Sequence, residues 1–114
     1  MYILTEVKLK TFNNFNLSQI CYGFSKAQQG SREFWDKLGE TYVDRIGDID
    51  ILGIAIAINS FGRSLTANLK PVLQAFRPIV MKNIKQFNIK EALLIISGIA
   101  SDSTSKAKPQ LESS

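Results

Sequence analysis

The sequence predicts an all-α protein, a short α-solenoid of about two and a half helical-hairpin repeats. The prediction starts from the most apolar stretch of the chain, which runs from Asp50 to Arg63. By itself this stretch is ambiguous, because its alternate isoleucines also fit a β-strand. The same apolar pattern occurs upstream after Asn16 and downstream after Asn88, and three copies favour the helix.

The spacing of the three copies is typical of helical repeats. Leu17 and Ile51 are 34 residues apart, and Ile51 and Ile89 are 38 residues apart. Under these offsets, apolar positions fall on apolar positions in all three copies. A unit of this length holds two helices, and such units stack because none can bury its apolar face alone.

The first half of the chain predicts three helices. An amphipathic segment over residues 2 to 12 comes first. Asn16 and Gln19 then form a capping box, which predicts a helix from about Leu17 to Gln28. Ser31 begins the next helix. Its apolar stripe consists of Phe34, Trp35, Leu38, Tyr42 and Ile46.

The second half repeats this arrangement. Asp50 caps the central helix, and Gly62 is expected to end it. A longer helix with Pro78 inside it follows, which predicts a kink or a split. Asn88 and Glu91 form another capping box, at the start of the last predicted helix.

Composition divides the chain into a folded part and a tail. Residues 1–100 form the predicted helical-repeat domain, with 45% apolar residues in the chain as a whole. Residues 101–114 are rich in Ser and Lys and lack an apolar period, which predicts a disordered tail.

The apolar runs are shorter than the ~20 residues that a bilayer requires, so no membrane span is expected. Residues 1–6 have neither signal-peptide nor transit-peptide features.

Composition also limits the chemistry. The chain has no His and a single cysteine, Cys21, so we expect no zinc site, and His-based acid–base catalysis is excluded. No paired carboxylates, phosphate-binding glycine loop or metal cluster stands out. We therefore expect no enzyme, metal, cofactor or small-molecule substrate. Cys21 aligns with apolar positions and is expected to be a small buried group.

The positive charge is concentrated in one part of the chain. The net charge is +4, and no acidic residue occurs between Asp50 and Glu91. Such an interval predicts either a phosphate-binding surface or a solvated helix face, and the sequence leaves both open. The basic residues within it are Arg63, Lys70, Arg77, Lys82, Lys85 and Lys90.

Two segments carry a family resemblance. They are FNLSQICYGFSK, from Phe15 to Lys26, and FWDKL, from Phe34 to Leu38. Together they resemble the octotricopeptide and heptatricopeptide helical-repeat families, and the lineages richest in heptatricopeptide repeats are apicomplexan parasites and their relatives. The resemblance implies a mitochondrial protein that binds RNA or belongs to a ribonucleoprotein such as the mitoribosome. Ribosomal RNA and other protein subunits would then be its partners. The alternative is a protein–protein scaffold without RNA contact, since short solenoids expose apolar ends.

Two sets of side chains are candidates for RNA contact. Under the offsets above, Ser25, Asn59 and Ser97 share a column that would read base edges, or would only bond to a carbonyl one turn back. Tyr22 is an exposed aromatic candidate, although its column predicts packing. The basic residues would contact phosphates. The candidate RNA-binding residues are Lys26, Ser25, Asn59, Arg63, Lys70, Arg77, Lys82 and Lys85.

Overall fold

The computed structural model describes Leu9 and residues 11–102, and this part of the chain is all-helical. A short 3₁₀ turn, Ile84–Gln86, precedes the last helix. The predicted all-α, helical-hairpin class is confirmed. The α-helices are α1 (Asn14–Lys26), α2 (Arg32–Asp44), α3 (Ile51–Arg63), α4 (Leu69–Lys82) and α5 (Ile89–Ser101).

The helices form two layers. Helices α1, α3 and α5 lie side by side in the first layer with α3 in the middle, and the α3–α5 contact is the most extensive among the described helices. Helices α2 and α4 pack against each other in the second layer, and α4 also packs on α3. The order is that of two hairpins, α1–α2 and α3–α4, followed by α5 as the first helix of a third. No helix between residues 11 and 102 has both the length and the apolar character required to cross a bilayer.

Most of the predicted side-chain caps are present at the helix N-termini. The Ser31 hydroxyl and the Asp50 carboxylate each accept a hydrogen bond from a backbone N–H in the first turn of α2 and α3. At α5 the capping box is complete: Asn88 accepts from the Glu91 N–H, and Glu91 accepts from the Asn88 N–H. These contacts satisfy N–H groups that have no partner inside the helix.

The start of α1 corrects the repeat register. The predicted capping box at Asn16 and Gln19 is wrong, because the Asn13 side chain accepts a hydrogen bond from the Asn16 N–H at 2.7 Å and α1 begins at Asn14. Helices α1, α3 and α5 then each contain 13 residues. The caps Asn13 and Asp50 are 37 residues apart, so the offset of 34 is replaced, whereas the offset of 38 to Asn88 holds.

Aromatic residues join the two layers. Trp35 of α2 meets Phe61 of α3 edge-on, with 5.0 Å between ring centroids. Tyr42 lies between Phe61 and Phe76 of α4, with 6.1 Å to each centroid. Phe34, Trp35, Leu38 and Tyr42 of the predicted α2 stripe are buried, and Ile46 is half-buried.

Helices α3 and α5 cross at two glycines. A Cβ atom on Gly62 would overlap the carbonyl of Gly98, and a Cβ on Gly98 would overlap the backbone at Ile58 and Asn59. Gly62 was predicted to end α3, but the helix runs past it to Arg63. Its role is to let two backbones approach each other closely.

Helix α4 is continuous through Pro78, so of the predicted kink or split the split is wrong and the kink stays a prediction. Asn68 caps its start by accepting a hydrogen bond from the Lys70 N–H at 3.2 Å. The predicted segment over residues 2 to 12 lies mostly outside the described residues, although Leu9 is helical and buried. Residues 103–114 of the predicted tail also lie outside them, and α5 extends to Ser101.

Candidate nucleic-acid interface

A groove of about 750 Å³ lies on the first layer of helices. The C-terminal half of α3 forms its floor, while α1 and α5 contribute its two sides. Helices α1, α3 and α5 are the first helices of the three repeat copies. Because α3 lies between α1 and α5, the groove crosses all three copies.

The same two helix positions line this groove in each copy. With the corrected register, the ninth and thirteenth residues of each first helix are equivalent, and they lie one turn apart on one helix face. All six of these residues contribute to the lining. The ninth-position column is Tyr22, Asn59 and Ser97, and the thirteenth-position column is Lys26, Arg63 and Ser101.

Ser25 does not belong to the column of Asn59 and Ser97, contrary to the sequence prediction. It is the twelfth residue of α1, equivalent to Gly62 of α3 and Ala100 of α5. This position holds a small residue in all three helices. Ser25 is only 4% exposed at the margin of the groove, so little of its hydroxyl is offered to a ligand.

Asn59 has a tertiary hydrogen bond instead of a bond one turn back. Its Nδ2 donates to the carbonyl oxygen of Leu94 in α5 at 3.0 Å, and the residue is 5% exposed. The side chain therefore helps to hold α3 against α5. This contact accounts for the burial of an amide on the groove floor.

Among the described residues, the groove lining carries cations and no carboxylate. Its basic residues are Lys26, Arg63 and Lys90, all of them exposed. The Lys26 Nζ atom lies 5.8 Å from the centroid of the Tyr22 ring, and that ring is 47% exposed. A cation beside an exposed aromatic face can contact a phosphate and a stacked base together.

Gln28 positions the end of α3 at the groove. Its backbone adopts a positive φ of 53°, which turns the chain just after α1. Its Nε2 donates to the Arg63 carbonyl at 3.0 Å, and its Oε1 accepts from the Leu65 N–H at 3.0 Å. Both contacts hold the segment that presents Arg63.

The sequence prediction missed part of this lining. Lys90 was only one of the basic residues in the acid-free interval, and Tyr22 was expected to pack against other residues. With the cap at Asn13, Tyr22 falls in the same column as Asn59, and this register identifies Tyr22 as a lining residue. The interactions of Gln28 depend on a contact across 35 to 37 residues, which no local pattern contains.

The other four predicted residues lie away from the groove. Lys70, Arg77 and Lys82 are exposed on α4, and Lys85 is exposed on the 3₁₀ turn. None of the four contributes to the groove lining. Lys82 instead lines a separate cleft that also contains two carboxylates, those of Asp50 and Glu91. The predicted phosphate contact by these four residues is therefore not part of the groove, and the structure does not test it.

Cys21 is fully buried beneath the groove, as predicted. Burial raises the pKa of its thiol to about 12, and the nearby hydroxyls of Ser60 and Tyr42 partly oppose this rise. Burial also raises the pKa of Tyr42 well above its usual range. The thiol is therefore protonated at neutral pH and shielded from solvent, which is the opposite of what a nucleophile requires.

Comparison with known proteins gave no match to this chain among family models, curated proteins or solved structures.

Proposed function

We propose that this protein binds single-stranded RNA in the groove across α1, α3 and α5. The observation that carries the proposal is the repetition of two lining positions in all three first helices, together with three cations and no carboxylate among the lining residues that the structure describes. Equivalent positions repeated along a solenoid suit a linear ligand with its own repeat. A lining without carboxylates suits a polyanion.

The chemistry of the lining favours an unpaired strand. Lys26, Arg63 and Lys90 would contact successive phosphates. The half-exposed Tyr22 ring offers a flat face for one base, and stacking of this kind requires a base that is not held in a duplex. The hydroxyls of Ser97 and Ser101 are of a type that bonds to base edges or to ribose 2′-hydroxyl groups.

The cellular setting comes from the family resemblance alone. It supports placing this chain in a mitochondrial ribonucleoprotein such as the mitoribosome, with ribosomal RNA and neighbouring subunits as partners. The exposed apolar face of α5 favours a second contribution, as a scaffold for protein contacts.

RNA titrations at several salt concentrations test the groove. Fluorescence anisotropy with a labelled single-stranded RNA measures the affinity of the wild type and of Lys26→Glu, Arg63→Glu and Lys90→Glu. Each groove variant is expected to reduce the slope of log affinity against log salt by about 0.7, the value for one phosphate contact on a single strand. Tyr22→Ala is expected to lose about 1–3 kcal/mol of binding with an unchanged slope.

Charge reversal on α4 provides the matched control. Lys70→Glu and Arg77→Glu each change the net charge by the same amount outside the groove, so they are expected to leave the slope unchanged. Circular dichroism checks that every variant keeps its helices. The proposal fails if the wild type does not bind RNA at low salt, or if the α4 variants reduce the slope as much as the groove variants.

A further inference from the structure

The outward face of α5 is apolar along its whole length. At about 100° per residue, six apolar side chains cover an uninterrupted arc of about 120° on this helix. Four of them are large and exposed, at 79% for Ile89, 58% for Leu93, 60% for Ile96 and 41% for Ile99. Such a face normally marks an interaction surface. The arc is completed by Ala92 and Ala100.

The equivalent residues of α3 are buried. The corrected register pairs Leu93 with Ala55, Ile96 with Ile58, and Ile99 with Phe61. Each of the three α3 residues is at most 1% exposed, because α3 has further helices beside it. Helix α5 carries the same apolar positions, and no further first helix covers them within residues 11–102.

The opposite edge of the layer, on α1, has a complementary feature. The tenth residue of each first helix is small: Gly23 in α1, Ser60 in α3 and Gly98 in α5. In α5 this residue lies against the backbone at Ile58, the eighth residue of α3. In α3 it lies beside Cys21, the eighth residue of α1. The small tenth residue is therefore where the preceding first helix docks.

Gly23 has no such neighbour. A Cβ atom placed on it would meet no described atom within 4 Å. Glycine inside a helix costs about 1 kcal/mol relative to alanine, and no contact of the described chain requires it here. The eighth residue of α5, Ile96, is likewise uncovered.

We propose that copies of this chain stack head to tail, with α1 of one copy docked on α5 of another so that the partner's Gly23 lies over Ile96. This contact continues the two existing interfaces, α1 with α3 and α3 with α5. It joins the two open edges of the layer with the same pairing of eighth and tenth helix positions. The inference does not rest on RNA binding.

A second copy is the occupant that best fits the apolar arc of α5. Gln19 and Ala27 lie beside Gly23 on the α1 edge, and the nearest charged side chain, Lys26, lines the groove, so docking at Gly23 buries no unpaired charge. Residues 103–114 offer Leu111 as their single large apolar side chain, which is too little to cover the arc. Pairing of α5 with α5 would leave the Gly23 edge uncovered. Because the contact joins different surfaces, it forms open chains or rings.

Two edge variants test the stacking by sedimentation velocity over a range of concentrations. Ile96→Glu disables the α5 edge, and Gly23→Glu fills the α1 edge while improving helix propensity. The wild type is expected to associate progressively with concentration, and each variant alone is expected to bind at least about tenfold more weakly. A mixture of the two variants retains one intact edge of each kind, so it is expected to stop at the heterodimer.

A control and a cross-link complete the design. Met81→Glu changes a residue on α4 that is 66% exposed, away from both edges, and is expected to associate like the wild type. A mixture of Gly23→Cys and Ile96→Cys is expected to form a disulfide between the two variants under mild oxidation. A monomeric wild type overturns the proposal. So does an association that survives either edge variant, since a symmetric α5 or α1 dimer would survive one of them.

Discussion

At the residue scale, the central polar side chains are explained by contacts between first helices. The Asn59 amide bonds to the Leu94 carbonyl of α5, and the Cys21 thiol lies beside Ser60 of α3. The hydroxyls of Ser60 and Tyr42 are buried and make no hydrogen bond of ordinary geometry within the described chain. The Cys21 thiol lies beside both hydroxyls, and the Ser18 hydroxyl also lies beside that of Tyr42.

The buried thiol predicts a stability that depends on pH. Its pKa is 9.0 in a solvent-exposed state and about 12 in the fold, so above about pH 9 the unfolded chain loses a proton that the folded chain keeps. The stability that the protonated Cys21 thiol contributes is therefore fully present below pH 9 and is lost as the pH rises towards 12. The free energy of unfolding is expected to decrease by about 1 kcal/mol between pH 9 and pH 10 from this group.

Urea denaturation at both pH values measures this change. In Cys21→Ala the decrease is expected to be smaller by that amount, and only the contribution of Tyr42 and other groups would persist. Equal decreases in the wild type and in the variant would contradict the assignment to Cys21.

At the element scale, the glycines of the first helices have different roles that their positions decide. Gly62 and Gly98 lie where α3 and α5 meet backbone to backbone. Gly23 has the same local setting inside a helix but faces open space within the described chain. Helix propensity alone treats these three positions alike.

The two kinds of glycine predict opposite effects of alanine. Gly62→Ala is expected to lower the free energy of unfolding by about 3 kcal/mol, because the new methyl group forces α3 and α5 apart. Gly23→Ala is the matched control and is expected to raise it by about 0.5–1 kcal/mol through helix propensity. Urea denaturation of the monomeric chain measures both. A similar gain in both variants would show that the close crossing is absent.

At the scale of the whole molecule, burial depends on the place of a helix in the array. Among the described helices, α3 has first helices on both sides, whereas α5 has one on a single side. Equivalent residues therefore contribute unequally to stability, even though their local sequences are alike. The array is most stable at its centre and open at its ends.

Equivalent truncations in the centre and at the end of the array measure this difference. Ile58→Ala is expected to cost about 2–5 kcal/mol, because the residue is fully buried. Ile96→Ala is expected to cost less than about 1 kcal/mol, because the side chain is 60% exposed. Both values come from urea denaturation at concentrations where the chain is monomeric. Similar costs would mean that α5 is covered within one copy.

Local sequence was sufficient for most of the fold. Apolar periodicity, together with the caps Ser31, Asp50 and Asn88, placed four of the five described helices, and each of these signals acts within a turn or two of helix. The site was predicted less completely. Lys26, Arg63, Ser25 and Asn59 do meet at one groove, but the four predicted residues from Lys70 to Lys85 do not join it.

Contacts between distant parts of the chain select the residue at which α1 begins, and hence the residues that share a column. Asn13 and Asn16 are both competent caps, and nothing within a few residues of them distinguishes the two. The choice follows from Asn14, whose Nδ2 donates to the Asp48 carbonyl at 3.0 Å and whose Oδ1 accepts from Arg45 at 3.2 Å. These partners lie more than thirty residues away along the chain. Local patterns therefore specify that the chain forms stacked helical hairpins, while long-range hydrogen bonds and packing set the register that brings Tyr22 and Lys26 to the groove.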